Sequence, residues 1–291
     1  MRIVILSSSV YSESACAVAA HLAESGYVPA AVLALSSLNR KTLRRKLGQW
    51  GWRKIAVYAA SKTIPRLPEK PHVLNNPYLI SLLKRQSGIF RSLAEVGDCY
   101  RFPVASSGSH NSRASLARLR AWAPDLLVFA GGDILRKPLL EIPRLGVLNL
   151  HLGLLPQIRG MSSPEWSLLT NVPVGVTLHF MDAGIDTGPI LRKYEFPHAH
   201  QPESLLESLP ESLPGSLNDL RDQLVAFGVR KLAEVVAALD HGTLSATPQS
   251  ALNADTQFFV MHDRLRAHAA QRFAQRRRES SRYALAEIHH G

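Results

Sequence analysis

At 291 residues and 46% hydrophobic content, the chain suits a globular protein of one large domain with an appendage. No run reaches the roughly 18–20 apolar residues of a membrane span, and the opening Met1–Ser9 holds too short an apolar stretch for a signal peptide. The net charge of +11 admits nucleic acid, anionic lipid or a phosphorylated or carboxylated ligand.

Much of that charge is local, at Arg40–Lys54 and Arg264–Arg282, which equally suits a solvated surface. Two cysteines, Cys16 and Cys99, lack CxxC or metal spacing and fit a reducing, cytoplasmic setting.

In chain order, Arg2–Leu6 reads as a β-strand, Ser14–Ser25 as an amphipathic helix stopped by Gly26, and Val28–Leu35 as a second strand. This βαβ opening predicts a mostly parallel sheet with helices on both faces, an α/β, Rossmann-like fold. The turn after the first strand, where such folds bind ligands, is Ser7-Ser8-Ser9. It lacks the GxGxxG glycines, which argues against a dinucleotide. Ser9, Tyr11 and Ser12 are candidate acceptor-binding residues there, with a plain helix N-cap as the competing role for Ser12.

Asn39–Trp52 has a basic helical pattern, Lys62–Tyr78 is Pro-rich loop, and Ile80–Val96 is expected to be helical. A short strand over Cys99–Ala105 and a helix over Ser112–Ala123 follow. Asp125–Ala130 has the continuous apolar run of a strand buried on both faces. Beyond Gly131-Gly132 come a short helix at Ile134–Leu140, a strand at Val147–Leu150, a helix at Ser163–Leu169, and strands at Val176–Phe180 and Pro189–Phe196. Glu203–Leu217 repeats a four-residue theme in which Pro210 and Pro214 forbid one continuous helix. Leu220–Leu239 is an amphipathic helix closed by Gly242, and a basic helix runs to about Arg278. These elements divide the chain into a main domain over residues 1–198 and a small helical C-terminal extension with a basic tail over 199–291.

The most informative stretch is Leu145–Leu191. Asn149 and His151 stand two residues apart at a strand end, and an i, i+2 pair projects both side chains to one side. With Asp186 in a Gly-flanked loop, they supply the amide donor, imidazole and carboxylate that acyl transfer to an amine needs. No metal-ligand spacing is found among the twelve histidines, so no metal is expected.

Asn149-x-His151, Leu155-Pro156, Arg159-Gly160, Gly175-Val176-Thr177-x-His179 and Asp186-x-Gly188 together resemble the folate-dependent formyltransferases. That group includes phosphoribosylglycinamide, methionyl-tRNA and sugar-amine formyltransferases and formyltetrahydrofolate deformylase. The resemblance is strong over Pro124–Leu191, weaker over Arg2–Ala123 and faint beyond Pro197. It implies transfer of a formyl group from 10-formyltetrahydrofolate, the cosubstrate, to a primary amine through a tetrahedral intermediate. Asn149, His151 and Asp186 would be catalytic. Phe129, Gly131, Gly132, Ile134 and Leu135 would wrap the pterin, with Met181, Asp182 and Gly184 as the opposite wall. Arg159 and Gly160 join Ser9, Tyr11 and Ser12 as candidates for the acceptor, with a surface ion pair as the other role for Arg159. His179 is read as a structural histidine and Trp166 as a packing residue.

The expected acceptor is a small-molecule amine: an amino-sugar nucleotide, an amino acid or a ribonucleotide. The serine-rich first loop departs from the glycine-rich phosphate loop of the glycinamide ribonucleotide enzyme, and the last forty residues fall short of the β-barrel of methionyl-tRNA formyltransferases. Hydrolysis of formyltetrahydrofolate needs the same three residues and stays open. A non-enzyme alternative is a basic RNA-binding protein using Trp50, Trp52 and Phe273, whose affinity would fall steeply with salt. The expected partners are therefore a small molecule, with neither nucleic acid nor membrane, and a homodimer is left open.

Overall fold

The computed structural model describes residues 1–36, 75–85, 88–197, 214–249 and 257–288, with side chains of the last helix through residue 275. The basic stretch Asn39–Trp52, most of the Pro-rich stretch and most of the Glu203–Leu217 repeat lie outside the described residues.

The chain opens with strand β1 (Ile3–Ser7), helix α1 (Glu13–Glu24) and β2 (Ala31–Leu35), pairing in parallel. Ser12 caps α1 by accepting from the Ala15 N–H. Then come a 3₁₀ turn at Pro77–Leu79, α2 (Ile80–Leu83), a two-residue hairpin of β3 (Lys84–Arg85) and β4 (Gly88–Ile89), and α3 (Leu93–Tyr100). The single helix expected over Ile80–Val96 is thus broken. Gly88 has φ of 130°, which no helix permits, and Ser92 starts a fresh helix by capping Glu95. The expected strand at Cys99 begins later for a related reason: α3 runs on to Tyr100 and Arg101 ends it in a left-handed conformation.

The remaining elements are β5 (Val104–Ser107), α4 (Arg113–Trp122), β6 (Leu126–Ala130), α5 (Lys137–Leu140), β7 (Gly146–His151), β8 (Arg159–Gly160), α6 (Ser163–Thr170), β9 (Gly175–Phe180), β10 (Ile190–Glu195), α7 (Leu217–Asp240), β11 (Gln257–Phe258) and α8 (Asp263–Ile288). Seven strands form one sheet in the order β10-β9-β7-β6-β1-β2-β5. Pairings from β7 through β5 are parallel, whereas β9 runs antiparallel to both β7 and β10. This is the α/β, Rossmann-like, mostly parallel sheet that the βαβ opening implies.

Burial explains why the sheet is covered on both sides. Successive strand residues face opposite ways, so Ile3 and Ile5 join α1 and α7 in one apolar cluster. Val4 and Leu6 join Leu119 of α4 and Leu139 of α5 in another. A third cluster links α6, α7 and α8 through Leu168, Leu220, Phe227, Met261 and Phe273. Phe273 is therefore a core residue, not the surface ring that RNA stacking would need; Trp50 and Trp52 are outside the described residues. Glu165 on α6 is 1% exposed and ties the same three helices together, bonding Arg221 of α7 at 2.5 and 2.6 Å and lying 3.4 Å from Arg266 of α8. No described helix is long and apolar enough to cross a membrane.

Candidate functional site

The site forms where the antiparallel β7–β9 pair meets two loops. Register sets Asn149 opposite His179 and His151 opposite Thr177. Alternation sends Leu148 and Leu178 into the first core cluster, so these four polar residues share the other face. A cis peptide joins Leu155 to Pro156, and the Thr177 hydroxyl pins that loop, donating to Gly153 O at 2.6 Å and accepting from Leu155 N–H at 3.0 Å.

His151 is 7% exposed. Its Nε2 lies 2.7 Å from the Ile158 carbonyl, which only accepts, so geometry assigns a proton to Nε2. The Ser163 hydroxyl is 3.4 Å from the same nitrogen. Nδ1 is then left facing Asp186 Oδ2 at 3.4 Å. Burial pushes the imidazole below its ordinary value near 6.5, against the opposing pull of Asp186. The resting ring is neutral and ready to take a proton on the side where a carboxylate would steady the charge.

Asp186 is brought in by a left-handed backbone, φ 53°. Burial alone would favour its neutral form, yet its carboxyl is held below the usual carboxylate range by the polar groups around it, the nearby His151 and the Gly160 N–H among them. The Gly160 bond measures 2.8 Å. Gly160 itself has φ of 92°, and a Cβ there would sit 2.1 Å from Phe258 O, so only glycine lets β8 pair with β11.

The structure adds a residue that the sequence leaves in a structural role. His179, 1% exposed, donates from Nδ1 to Phe180 O at 2.8 Å, and its Nε2 accepts from Asn149 Nδ2 at 3.0 Å. Asp186 Oδ1 lies 3.6 Å from that Nε2. With Nδ1 as the donor, the hydrogen bond at Nε2 runs from Asn149 rather than to Asp186. One amide proton of Asn149 is thereby committed, and the other is aimed by the same contact. The signal was present in the i, i+2 spacing of Thr177 and His179, but its meaning depended on the β7–β9 register.

The expected pterin-wrapping residues run from Phe129 near the end of β6 into the loop beyond it. Gly131 and Gly132 have φ of 103° and 153°, and a Cβ on Gly132 would meet His110 at 2.4 Å. Ile134 is 86% exposed, whereas Leu135 is buried in the second core cluster and offers only backbone. The loop is tied down from behind: Asp133 contacts His110 Nδ1 at 2.8 Å, and Asn111 bonds Ile134 O and Arg136 N–H, both at 2.8 Å. A cavity of about 430 Å³ adjoins it, lined by Ser109, Asn111, Ser112, Asp133, Ile134 and Arg136, apart from Asn149 and His151. After β9, Met181 bonds backbone to Val147, and Asp182 closes its own loop by accepting from Gly184 N–H and Thr187.

In the first loop, backbone donors turn onto the loop's own hydroxyls. Ser9 N–H donates to Ser7 Oγ, Tyr11 N–H to Ser9 Oγ, and Ser12 is spent as a cap. Tyr11 is exposed. Arg159 sits partly buried in β8 beside Gln257. Among the described residues no group of three His, Cys, Asp or Glu side chains is placed to hold a metal ion.

A Rossmann-like sheet whose strand ends gather an amide, two imidazoles and a depressed carboxylate brings together the groups that acyl transfer to an amine calls for. Residues 78–210 match the formyl transferase family model, and in this segment the chain is similar to that family. It is 33% identical over 158 residues to a methionyl-tRNA formyltransferase of Pelobacter propionicus, an overlap of 54% of this chain and 46% of the relative. The chain spans about half the length of the curated relatives it matches. The glycinamide ribonucleotide transformylase 1 of Symbiobacterium toebii superposes with a TM-score of 0.51 at 19% identity, covering 86% of this chain and 95% of that one. The phosphoribosylglycinamide formyltransferase of Anaplasma phagocytophilum does so at 0.52 and 16% identity, covering 89% and 98%. These two likenesses concern the fold.

Proposed function

We propose that this protein transfers the formyl group of 10-formyltetrahydrofolate to a primary amine of a small-molecule acceptor. The observation that carries the reading is the convergence of Asn149, His151 and Asp186, from a strand end and a loop thirty-five residues later, on one face of the sheet. The free N–H of Asn149 donates to the formyl oxygen as negative charge gathers there, and losing such a donor costs about 10²–10³ in rate. The attacking amine must shed a proton. Asp186 takes it and passes it to Nδ1 of neutral His151, 3.4 Å away, and then stabilises the imidazolium. Acid–base help of this kind contributes roughly 10²–10⁴. Phe129, Gly131, Gly132, Ile134 and the backbone of Leu135 fit a flat ring bound by apolar contact and a few backbone hydrogen bonds, with Met181, Asp182 and Gly184 opposite. Ser9, Tyr11, Ser12, Arg159 and Gly160 would face the acceptor.

A second reading, in which methionyl-tRNA is the acceptor, is favoured by the names of the curated relatives. One experiment separates the two. Consumption of 10-formyltetrahydrofolate is followed with an amino-sugar nucleotide, free amino acids, glycinamide ribonucleotide, methionyl-tRNA, and no amine. Turnover with a small amine supports the proposal. Turnover with methionyl-tRNA alone replaces it with the second reading, and formate release independent of any amine makes the protein a hydrolase.

A further inference from the structure

The loop that carries Asp186 is fastened from outside the segment that matches the family model, which ends at residue 210. A left-handed backbone is disfavoured at a non-glycine residue, so the φ of 53° at Asp186 is helped by neighbours that hold it. Thr247 and Ile190 exchange both backbone hydrogen bonds at 2.8 Å, which lays residues 247–249 beside the loop. The side-chain amide of Gln249 then donates from Nε2 to Asp186 O at 2.9 Å and to Gly188 O at 2.7 Å. Two carbonyls two residues apart are held by one side chain, and because both only accept, the amide has a single workable orientation.

We propose that Gln249 is a positioning residue for Asp186, its amide locking the turn that aims the carboxylate at His151. The proposal rests on the reading of Asp186 as part of the transfer site. On the other flank, the Gly160 N–H that bonds the carboxylate is itself held by β11. Gln249 fixes the backbone and β11 fixes the carboxylate's donor, so the C-terminal extension grips the aspartate at both ends.

A residue that merely stabilised the loop would alter melting and leave His151 untouched. A residue that positions Asp186 must be felt at that ring. His151 is faced by the Ile158 carbonyl, the Ser163 hydroxyl, the His179 ring and Asp186, of which Asp186 is the anion. Letting the carboxylate drift therefore weakens the ring's hold on a proton.

The test is the NMR titration of the His151 ring in the full chain, assigned through His151→Gln, in wild type, Gln249→Met and Asp186→Asn. Methionine keeps the length and bulk of glutamine without its donors; Gln249→Asn, one methylene short, is the second variant. Both Gln249 variants should move the ring's titration to lower pH, in the direction of Asp186→Asn and by less. Each should cut the turnover number for formyl transfer about tenfold, with the KM for 10-formyltetrahydrofolate within about a factor of two, as misplacement of a reacting group does. An unmoved titration in both variants overturns the proposal, whatever their melting temperatures. Failure of the functional reading looks different: Asp186→Asn would then leave formyl transfer intact while the ring titrations still shifted.

Discussion

Asn149 and His179 stand opposite one another on antiparallel strands, and the amide of the first donates 3.0 Å to the ring of the second. An asparagine side chain has a donor end and an acceptor end that sequence alone cannot orient. Here the histidine settles it, because Nδ1 donates to Phe180 O and leaves Nε2 able to accept. The amide donor that formyl transfer would use is thus set by a residue that need not touch the substrate.

The first prediction follows from that contact. His179→Phe should keep the fold and cosubstrate KM but lower the turnover number by about tenfold to a hundredfold, short of the loss in Asn149→Ala, because the amide becomes free to rotate. Additive losses in the double variant would count against coupling, which requires the second substitution to cost little once the first is made.

Gly160→Ala should be disruptive well beyond a lost loop conformation. Its methyl would sit 2.1 Å from Phe258 O and would have to adopt φ of 92°. We expect a stability loss on the order of 3 kcal/mol by denaturant melt, and loss of transfer even at temperatures where the variant is folded. A folded, active variant would show that the β8–β11 pairing does not support Asp186.

Glu165 tests how firmly the C-terminal helices are joined to the site. Glu165→Ala removes the buried carboxylate that Arg221 and Arg266 share. Both arginines are more than a third exposed and can rehydrate, so the expected cost is on the order of 2 kcal/mol, below that of a fully buried pair. Calorimetry showing an unchanged melting temperature would remove the pair from the account.

Acid should destabilise the protein in two stages. Burial lowers His21, His110 and His151 from their ordinary value near 6.5 in the folded chain. The unfolded chain therefore binds more protons, and stability complete above about pH 6.5 is lost as pH falls below it. Asp133 and Asp186 have depressed folded values, so their contribution persists below the histidine range and is lost only beneath about 3.8. Melting temperatures measured from pH 7 to pH 5 should fall; a flat profile would contradict the burial of neutral rings.

Legibility in the sequence tracked the range of the physics. The sheet could be read because β1 and β6 are continuous apolar runs, and Asn149 with His151 because strand alternation is local. Apolar spacing predicts one helix over Ile80–Val96 because it continues across Gly88, whose backbone forbids a helix. His179 acquires its role only through a register between strands thirty residues apart, and Gln249 through a bridge to Ile190 that no local pattern announces. Leu135 reads as a slot residue, and its side chain packs into the core with Leu119 and Leu139, leaving its backbone for that role.

The single-turnover rate of formyl loss from 10-formyltetrahydrofolate, in the presence of the preferred amine, bears most directly on the site. For Asn149→Ala it should fall by about 10²–10³ relative to wild type with cosubstrate affinity and melting temperature preserved. A rate within about twofold of wild type would mean that the amide does not meet the formyl oxygen, and the site as described would not be the place of reaction.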